Sequence, residues 1–110
     1  MNERKSGKVN ILIADDHPIF RQGLKHAFSE TSDLAVAGEA SNGFETLEKI
    51  RSMDVNVVLL DISMAGQSSL DTLKQIKIEK PKLPVLVLSV YPEDQCAVRF
   101  IRAGAAGYLT

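Results

Sequence analysis

The stretch Val57–Asp61 (VVLLD) most narrows what this chain can fold into. Four apolar residues in a row, with no polar alternation, predict a strand buried on both faces. Such strands belong to parallel sheets covered by helices. Asp61 then stands where the strand leaves the core. Open α/β sheets bind their ligands at the carboxyl ends of their strands, so a carboxylate there marks a candidate site.

The rest of the chain supplies the partners of that strand. Val9–Ala14 (VNILIA) is a short β-branched apolar run and reads as a first strand. Asp15-Asp16-His17-Pro18 follows, with proline suited to a first helical turn. A helix to about Ser29 is expected, with Phe20, Leu24, Ala27 and Phe28 on its inner face. Leu34–Ala40 (LAVAGEA) is a weaker strand suited to an edge. Ser41-Asn42-Gly43 turns into a second helix, with Phe44, Leu47 and Ile50 facing inward. After the Val57–Asp61 strand comes a loop over 62–68. Ser68 or Ser69 can cap a third helix that buries Leu70, Leu73 and Ile76. Leu83–Leu88 (LPVLVL) is a further buried strand ending at Ser89. Pro92-Glu93-Asp94 opens a fourth helix, with Ala97, Phe100 and Ile101 inward and Gly104 as its terminator. Ala106–Leu109 begins a fifth strand.

Strands alternating with helices predict an α/β fold with a doubly wound, flavodoxin-like parallel sheet of five strands. An order of 2-1-3-4-5 puts the weak second strand at an edge and brings strands one and three together at the switch point. The 110 residues fit one domain, residues 9–110, behind a polar leader at 1–8. The net charge of −1 gives no chain-wide attraction for nucleic acid or anionic lipid, and no direct nucleic-acid contact or membrane association is expected. Cys96 is the single cysteine, which leaves no disulfide framework and suits a reducing cytoplasm. No apolar run reaches membrane-spanning length.

Asp15 and Asp16, Asp61, and Ser89 each leave a strand at its carboxyl end and should share one crevice. Two unit charges about 4 Å apart repel by roughly 4 kcal/mol at an effective dielectric near 20. Clustered aspartates therefore call for a cation, or one of them stays protonated. Mg²⁺ suits an all-oxygen set of one or two carboxylates completed by water and phosphate. Zinc does not: His17 and His26 lack metal-ligand spacing, His17 is expected at a solvated helix start and His26 on the outer side of the first helix. An aspartate beside Mg²⁺ can act as a nucleophile toward phosphorus, and a hydroxyl such as that of Ser89 can sense the new dianion.

Together, DDHP with Arg21 and Gly23-Leu24, then VVLLDISMAG, LSVY and GAAGYLT resemble the receiver domain of bacterial two-component response regulators. The DDHP opening and the AGAAGYLT ending are most similar to the NarL/FixJ (LuxR-type) subfamily. The resemblance implies that Asp61 is the phosphoacceptor, Asp16 a Mg²⁺ ligand supported by Asp15, and Ser63 a ligand through its backbone carbonyl. It implies that Ser89 is the switch hydroxyl and Tyr108 the switch aromatic. The implied partners are a sensor histidine kinase and the protein's own C-terminal helix-turn-helix DNA-binding domain, with a homodimer among the assemblies it allows. No turnover enzyme is implied, only self-catalysed phosphoryl acceptance and slow hydrolysis.

The sequence departs from the family pattern at three places. Ala65 stands where the loop usually has proline, and Ser69 where it often has glycine. The family's lysine would fall just past Thr110, with the last helix and the effector domain beyond it, so a truncated domain is expected. A phosphorylation-independent interaction module is the alternative reading. A phosphohydrolase is disfavoured, because Ser63 replaces the second acid such enzymes carry two residues after the nucleophile. A dinucleotide site is disfavoured because the first strand–helix loop has no glycine-rich cradle.

Overall fold

A computed structural model gives the chain as alternating strands and helices, and describes residues 8–62, 68–89 and 94–109, the side chains of 94–96 excepted. The elements are β1 (Val9–Ala14), α1 (Pro18–Ser29), β2 (Leu34–Ala40), α2 (Gly43–Ser52), β3 (Val57–Asp61), α3 (Ser69–Glu79), β4 (Val85–Leu88), α4 (Asp94–Arg102) and β5 (Gly107–Leu109). All four ladders are parallel and the order is β2-β1-β3-β4-β5, as the alternating pattern predicts. β4 begins at Val85 rather than Leu83. Pro84 has no N–H to give a ladder, although its carbonyl accepts from Val58 N at 3.0 Å.

Side-chain alternation divides the core between the two faces of the sheet. Leu12 and Ala14, Val58 and Leu60, and Val85 and Val87 point to one face, where Leu47 and Ile50 of α2, Leu73 and Ile76 of α3, and Phe100 of α4 cover them. Ile11, Ile13 and Leu59 point to the other, against Leu24 and Phe28 of α1, with Leu86 and Leu88 at its margin. Unbroken apolar runs are needed because neighbouring residues serve opposite faces.

Four inward assignments do not hold. Phe20 is 46% exposed, Phe44 66% and Ile101 47%, and Ala27 is also exposed. The cause is helical phase. On α2 the buried stripe is Gly43, Thr46, Leu47 and Ile50. Thr46 takes the inner position with its hydroxyl satisfied by Asn42 O at 2.7 Å, which leaves Phe44 on the flank. On α1 the more sheltered residues are Arg21, Leu24, Lys25 and Phe28. Two of the four are long cations whose charged ends reach Glu39 of β2. α4 turns Phe100 inward and Ile101 away.

Helix ends are closed as the residues suggest. Asn42 caps α2 by accepting from Glu45 N at 2.8 Å, and Glu45 reaches back to Ser41 N at 2.8 Å. α4 ends in a Schellman arrangement: Ala105 N donates to Phe100 O and Gly104 N to Ile101 O, both at 3.0 Å. Gly104 has φ of +110°, a value side chains rarely adopt, and the Lys77 side chain lies where its Cβ would be.

Arg51 at the end of α2 forms a two-pronged pair with Glu79 at the end of α3, with N···O distances of 2.7 and 2.5 Å. The Arg51 guanidinium, seconded by the Gln75 amide, holds the Glu79 carboxyl down from its ordinary 4.5 to about 2. A depressed carboxyl stabilises the fold above its unfolded pKa, and that contribution is lost as pH falls from about 4.5 toward about 2. Arg51→Ala is expected to raise the Glu79 titration toward the ordinary range, followed by carboxyl NMR, with the Gln75 bond keeping part of the depression. It should also flatten the acid limb of the stability curve in that window. An unmoved Glu79 titration would count against the pair.

Candidate functional site

The site is built where β1 and β3, neighbours in the middle of the sheet, both end. Asp15 follows β1 directly and its N–H donates to Ala40 O of β2 at 2.9 Å. Its side chain is 1% exposed, a burial that carboxylates reach only with specific partners. Asp16 comes next and is more open. Asp61 is the last residue of β3, paired in register with Leu88 of β4, and is 8% exposed.

His17 joins them. It is the N-cap residue of α1 but makes no side-chain cap, and its ring turns to the acids instead. Nδ1 lies 2.9 Å from Asp15 Oδ1, 3.0 Å from Asp16 Oδ1 and 3.4 Å from Asp61 Oδ2. Its backbone N–H also donates to Asp15 Oδ1 at 2.7 Å. The hydrogen bond to Asp15 raises the imidazole pKa above 6.5 against a smaller opposing effect of burial, and the charges of Asp16, Asp15 and Asp61 add to the rise. One ligand atom from each of the four residues lies within 4.8 Å of the others.

His17 thus sits at a solvated helix start as expected, but the expectation that it lacks metal-ligand spacing does not hold, because its ring joins Asp15, Asp16 and Asp61. Its ring is 60% exposed, yet its Nδ1 lies within 3.4 Å of an oxygen of each of the three carboxylates. The sequence places His17 just before the proline that opens α1, but it carries no signal for the direction of the ring. His26, by contrast, lies where expected, 79% exposed beside Glu30.

Neighbouring residues fix the backbone of the site. Arg21 donates from Nη1 to the Asp15 carbonyl and from Nε to Glu39 Oε1 at 3.0 Å, tying α1, β1 and β2 together. Lys25 adds a bond to Glu39 Oε2 at 2.9 Å, and this cation pair holds the Glu39 carboxyl below its usual range. On the β3 side, Ser68 caps α3 by accepting from Asp71 N at 3.1 Å. Ser69 is therefore free of capping, and its buried hydroxyl donates to the Asp61 carbonyl at 2.5 Å. A glycine there could not make that bond.

Ser89 follows β4, next along from the Leu88 that pairs with Asp61. It is 6% exposed, and its N–H donates to Leu109 O at 2.8 Å. Tyr108 lies on β5 opposite Val87, half-buried against the α4 face with its ring centroid 6.2 Å from that of Phe100. Ser63, expected to offer a backbone carbonyl, lies outside the described residues, as do Ala65 and Val90. A groove of about 510 Å³ lies at the amino ends of β3 and β4 between Met53, Val55, Pro81 and Leu83, at the opposite end of these strands from Asp61.

The donor set fits a hard divalent cation. Asp15 Oδ2 is buried with no hydrogen-bond partner among the described residues, and a buried anionic oxygen is costly unless charge meets it. Carboxylate oxygens are the ligands Mg²⁺ prefers. Among the described residues, no helix is long and apolar enough to cross a membrane.

Known proteins are similar to this chain in sequence and in fold. The family model for the response regulator receiver domain matches residues 11–110. The nitrate/nitrite response regulator protein NarL of Escherichia coli (strain K12) is 38% identical over 101 residues, which cover 92% of this chain and 47% of that protein. The response regulator GacA of Pseudomonas viridiflava is 34% identical, covering 93% of this chain and 48% of its own length. The chain thus spans about half the length of the curated relatives it matches. Among solved structures, the signal receiver domain of a response regulator NarL from Mycobacterium tuberculosis superposes with a TM-score of 0.87 at 33% identity, covering 93% of this chain and 82% of that one. RcsB from Salmonella enterica serovar Typhimurium, solved bound to promoter rprA in the presence of the phosphomimetic BeF3⁻, gives a TM-score of 0.86 at 25% identity, covering 94% of this chain and 60% of that one.

Proposed function

This chain belongs to the response regulator receiver domain family, and from that premise we propose that it is a phosphorylation switch with Asp61 as its phosphoacceptor. The observation that carries the reading is the convergence of Asp15, Asp16 and Asp61 within 4.8 Å at the carboxyl ends of β1 and β3. The donor would be a phosphohistidine on a sensor kinase. An Asp61 carboxylate oxygen attacks phosphorus, the new P–O bond forms as the P–N bond breaks, and the departing imidazole takes up a proton.

Asp15, Asp16 and Asp61 would hold Mg²⁺, joined by the Ser63 carbonyl as the resemblance implies. When bound, the ion neutralises charge on the phosphoryl oxygens, which is most of what phosphoryl transfer requires. The protein's own part is positioning. Asp61 is aimed by the β3 ladder and by the Ser69 hydroxyl on its carbonyl; Asp15 is held by Arg21. In this reading Ser89 hydrogen-bonds a phosphoryl oxygen and draws the end of β4 inward. Tyr108, one ladder away beside Phe100, changes its rotamer with that shift.

The chain would not turn over substrate; it accepts one phosphoryl group and loses it slowly to water. Its output would pass to a DNA-binding effector in the parent protein, as the promoter-bound RcsB structure suggests by analogy. A cytoplasmic location accords with partnership to a kinase. Beryllofluoride with Mg²⁺, added to a chain carried past Thr110, is expected to shift the amide resonances of Asp61, Ser89 and Tyr108 together. Unchanged Ser89 and Tyr108 resonances at saturation would sink the relay, and no response at Asp61 would sink the switch.

A further inference from the structure

The position of His17 has a chemical implication beyond charge neutralisation. Ligands on adjacent corners of an octahedron with bonds of about 2.1 Å stand about 3 Å apart. Nδ1 of His17 lies 2.9, 3.0 and 3.4 Å from one oxygen each of Asp15, Asp16 and Asp61. That spacing, without the metal, is a hydrogen bond to Asp15 and close contacts to the other two acids; it also suits a fourth ligand beside three carboxylate oxygens once a metal displaces the Nδ1 proton. The ring is not engaged in capping α1, and the His17 N–H bond to Asp15 Oδ1 fixes the backbone that carries it. Asp15 Oδ2, buried without a hydrogen-bond partner among the described residues, is a further oxygen in the same pocket.

We propose that His17 is a nitrogen ligand of this pocket and tilts its preference from Mg²⁺ toward borderline metals such as Co²⁺ and Ni²⁺. The inference rests on the reading of the carboxylate cluster as a divalent-cation site. Its chemistry is ligand softness. Carboxylate and water suit Mg²⁺, which gains little from nitrogen, whereas imidazole suits the later first-row metals. With three carboxylates, one imidazole and the Ser63 carbonyl that the resemblance implies, one octahedral position would remain for water or a phosphoryl oxygen.

The test titrates the protein with CoCl₂, NiCl₂ or MgCl₂ alone, by calorimetry and by the visible absorption of Co²⁺. His17→Ala is expected to weaken Ni²⁺ and Co²⁺ by at least about tenfold, the scale on which even supporting residues of metal sites act, and to shift the Co²⁺ band. Mg²⁺ affinity should stay within about threefold. His17→Asn, which replaces nitrogen by an amide oxygen, should bind Mg²⁺ and likewise lose the Ni²⁺ preference. His26→Ala should change none of these. Unaltered Ni²⁺ and Co²⁺ binding in both His17 variants would overturn the proposal. So would tighter Mg²⁺ binding by His17→Ala, which would make the ring a plug rather than a ligand. If the parent binds no Mg²⁺ but His17→Ala still loses Ni²⁺, the nitrogen ligand stands and the Mg²⁺ reading falls.

Discussion

Asp61→Asn is expected to reduce phosphoryl uptake to background. The measurement is incorporation of label from a small phosphodonor in a chain carried past Thr110. The carboxamide is nearly the same size, so the β3 ladder and the Ser69 bond to the residue 61 carbonyl persist, and circular dichroism should not change. What disappears is the anionic oxygen that would attack phosphorus. Mg²⁺ affinity should fall with it, by roughly tenfold or more, since one of three carboxylates around the pocket is gone. Asp15 and Asp16 remain acidic in this variant. Label above background would therefore make one of them, or another residue, the acceptor, and the assignment to Asp61 would be wrong.

Leu73→Ala should be the most damaging of the simple core changes. Leu73 is fully buried on α3, within the cluster that includes Val58, Leu60, Ile76, Val85 and Val87. Removing a buried leucine to its Cβ costs about 2–5 kcal/mol, with the upper end reached where surroundings cannot relax into the space. Four of those neighbours are on strands laddered on both sides, so little collapse is expected. For a domain of this size the melting temperature should fall by roughly 10 °C or more. Ile19→Ala is the matched control: Ile19 is 88% exposed, and its loss should stay within about 0.5 kcal/mol. Equal melting temperatures for Leu73→Ala and the parent would refute the packing described.

Much of this architecture could be read from apolar runs. The bounds of β3 follow from its unbroken apolar run, which stops where Asp61 leaves the core; those of β1 and the edge strand β2 were legible although Asn10 and Glu39 interrupt their apolar residues. The order of the sheet followed from the weak β2 and the right-handed crossover. The helices were less legible at their inner faces. Thr46, Arg21 and Lys25 take sheltered positions because each has a backbone or carboxylate partner nearby, and periodicity of apolar residues alone assigns those places to Phe44, Phe20 and Ala27. The acids at the strand ends were legible from topology. The place of His17 was not, since it depends on a local turn at Pro18 and on three acids from two strands. The bond from Ser69 to the Asp61 carbonyl needed the structure to show that Ser68 alone does the capping.

The unequal strands of the sheet divide its mechanics. β1 and β3 have laddered neighbours on both sides and carry Asp15 and Asp61 at their ends. β5, with three described residues, is laddered to β4 alone among the described strands and bears Leu109 at 49% exposure. Local opening costs most where ladders and burial surround a segment and least at a short edge. In the proposed switch, a change at Asp61 would therefore meet backbone held by ladders on both sides, and the described end of β5 would yield more readily than the ends of β1 and β3.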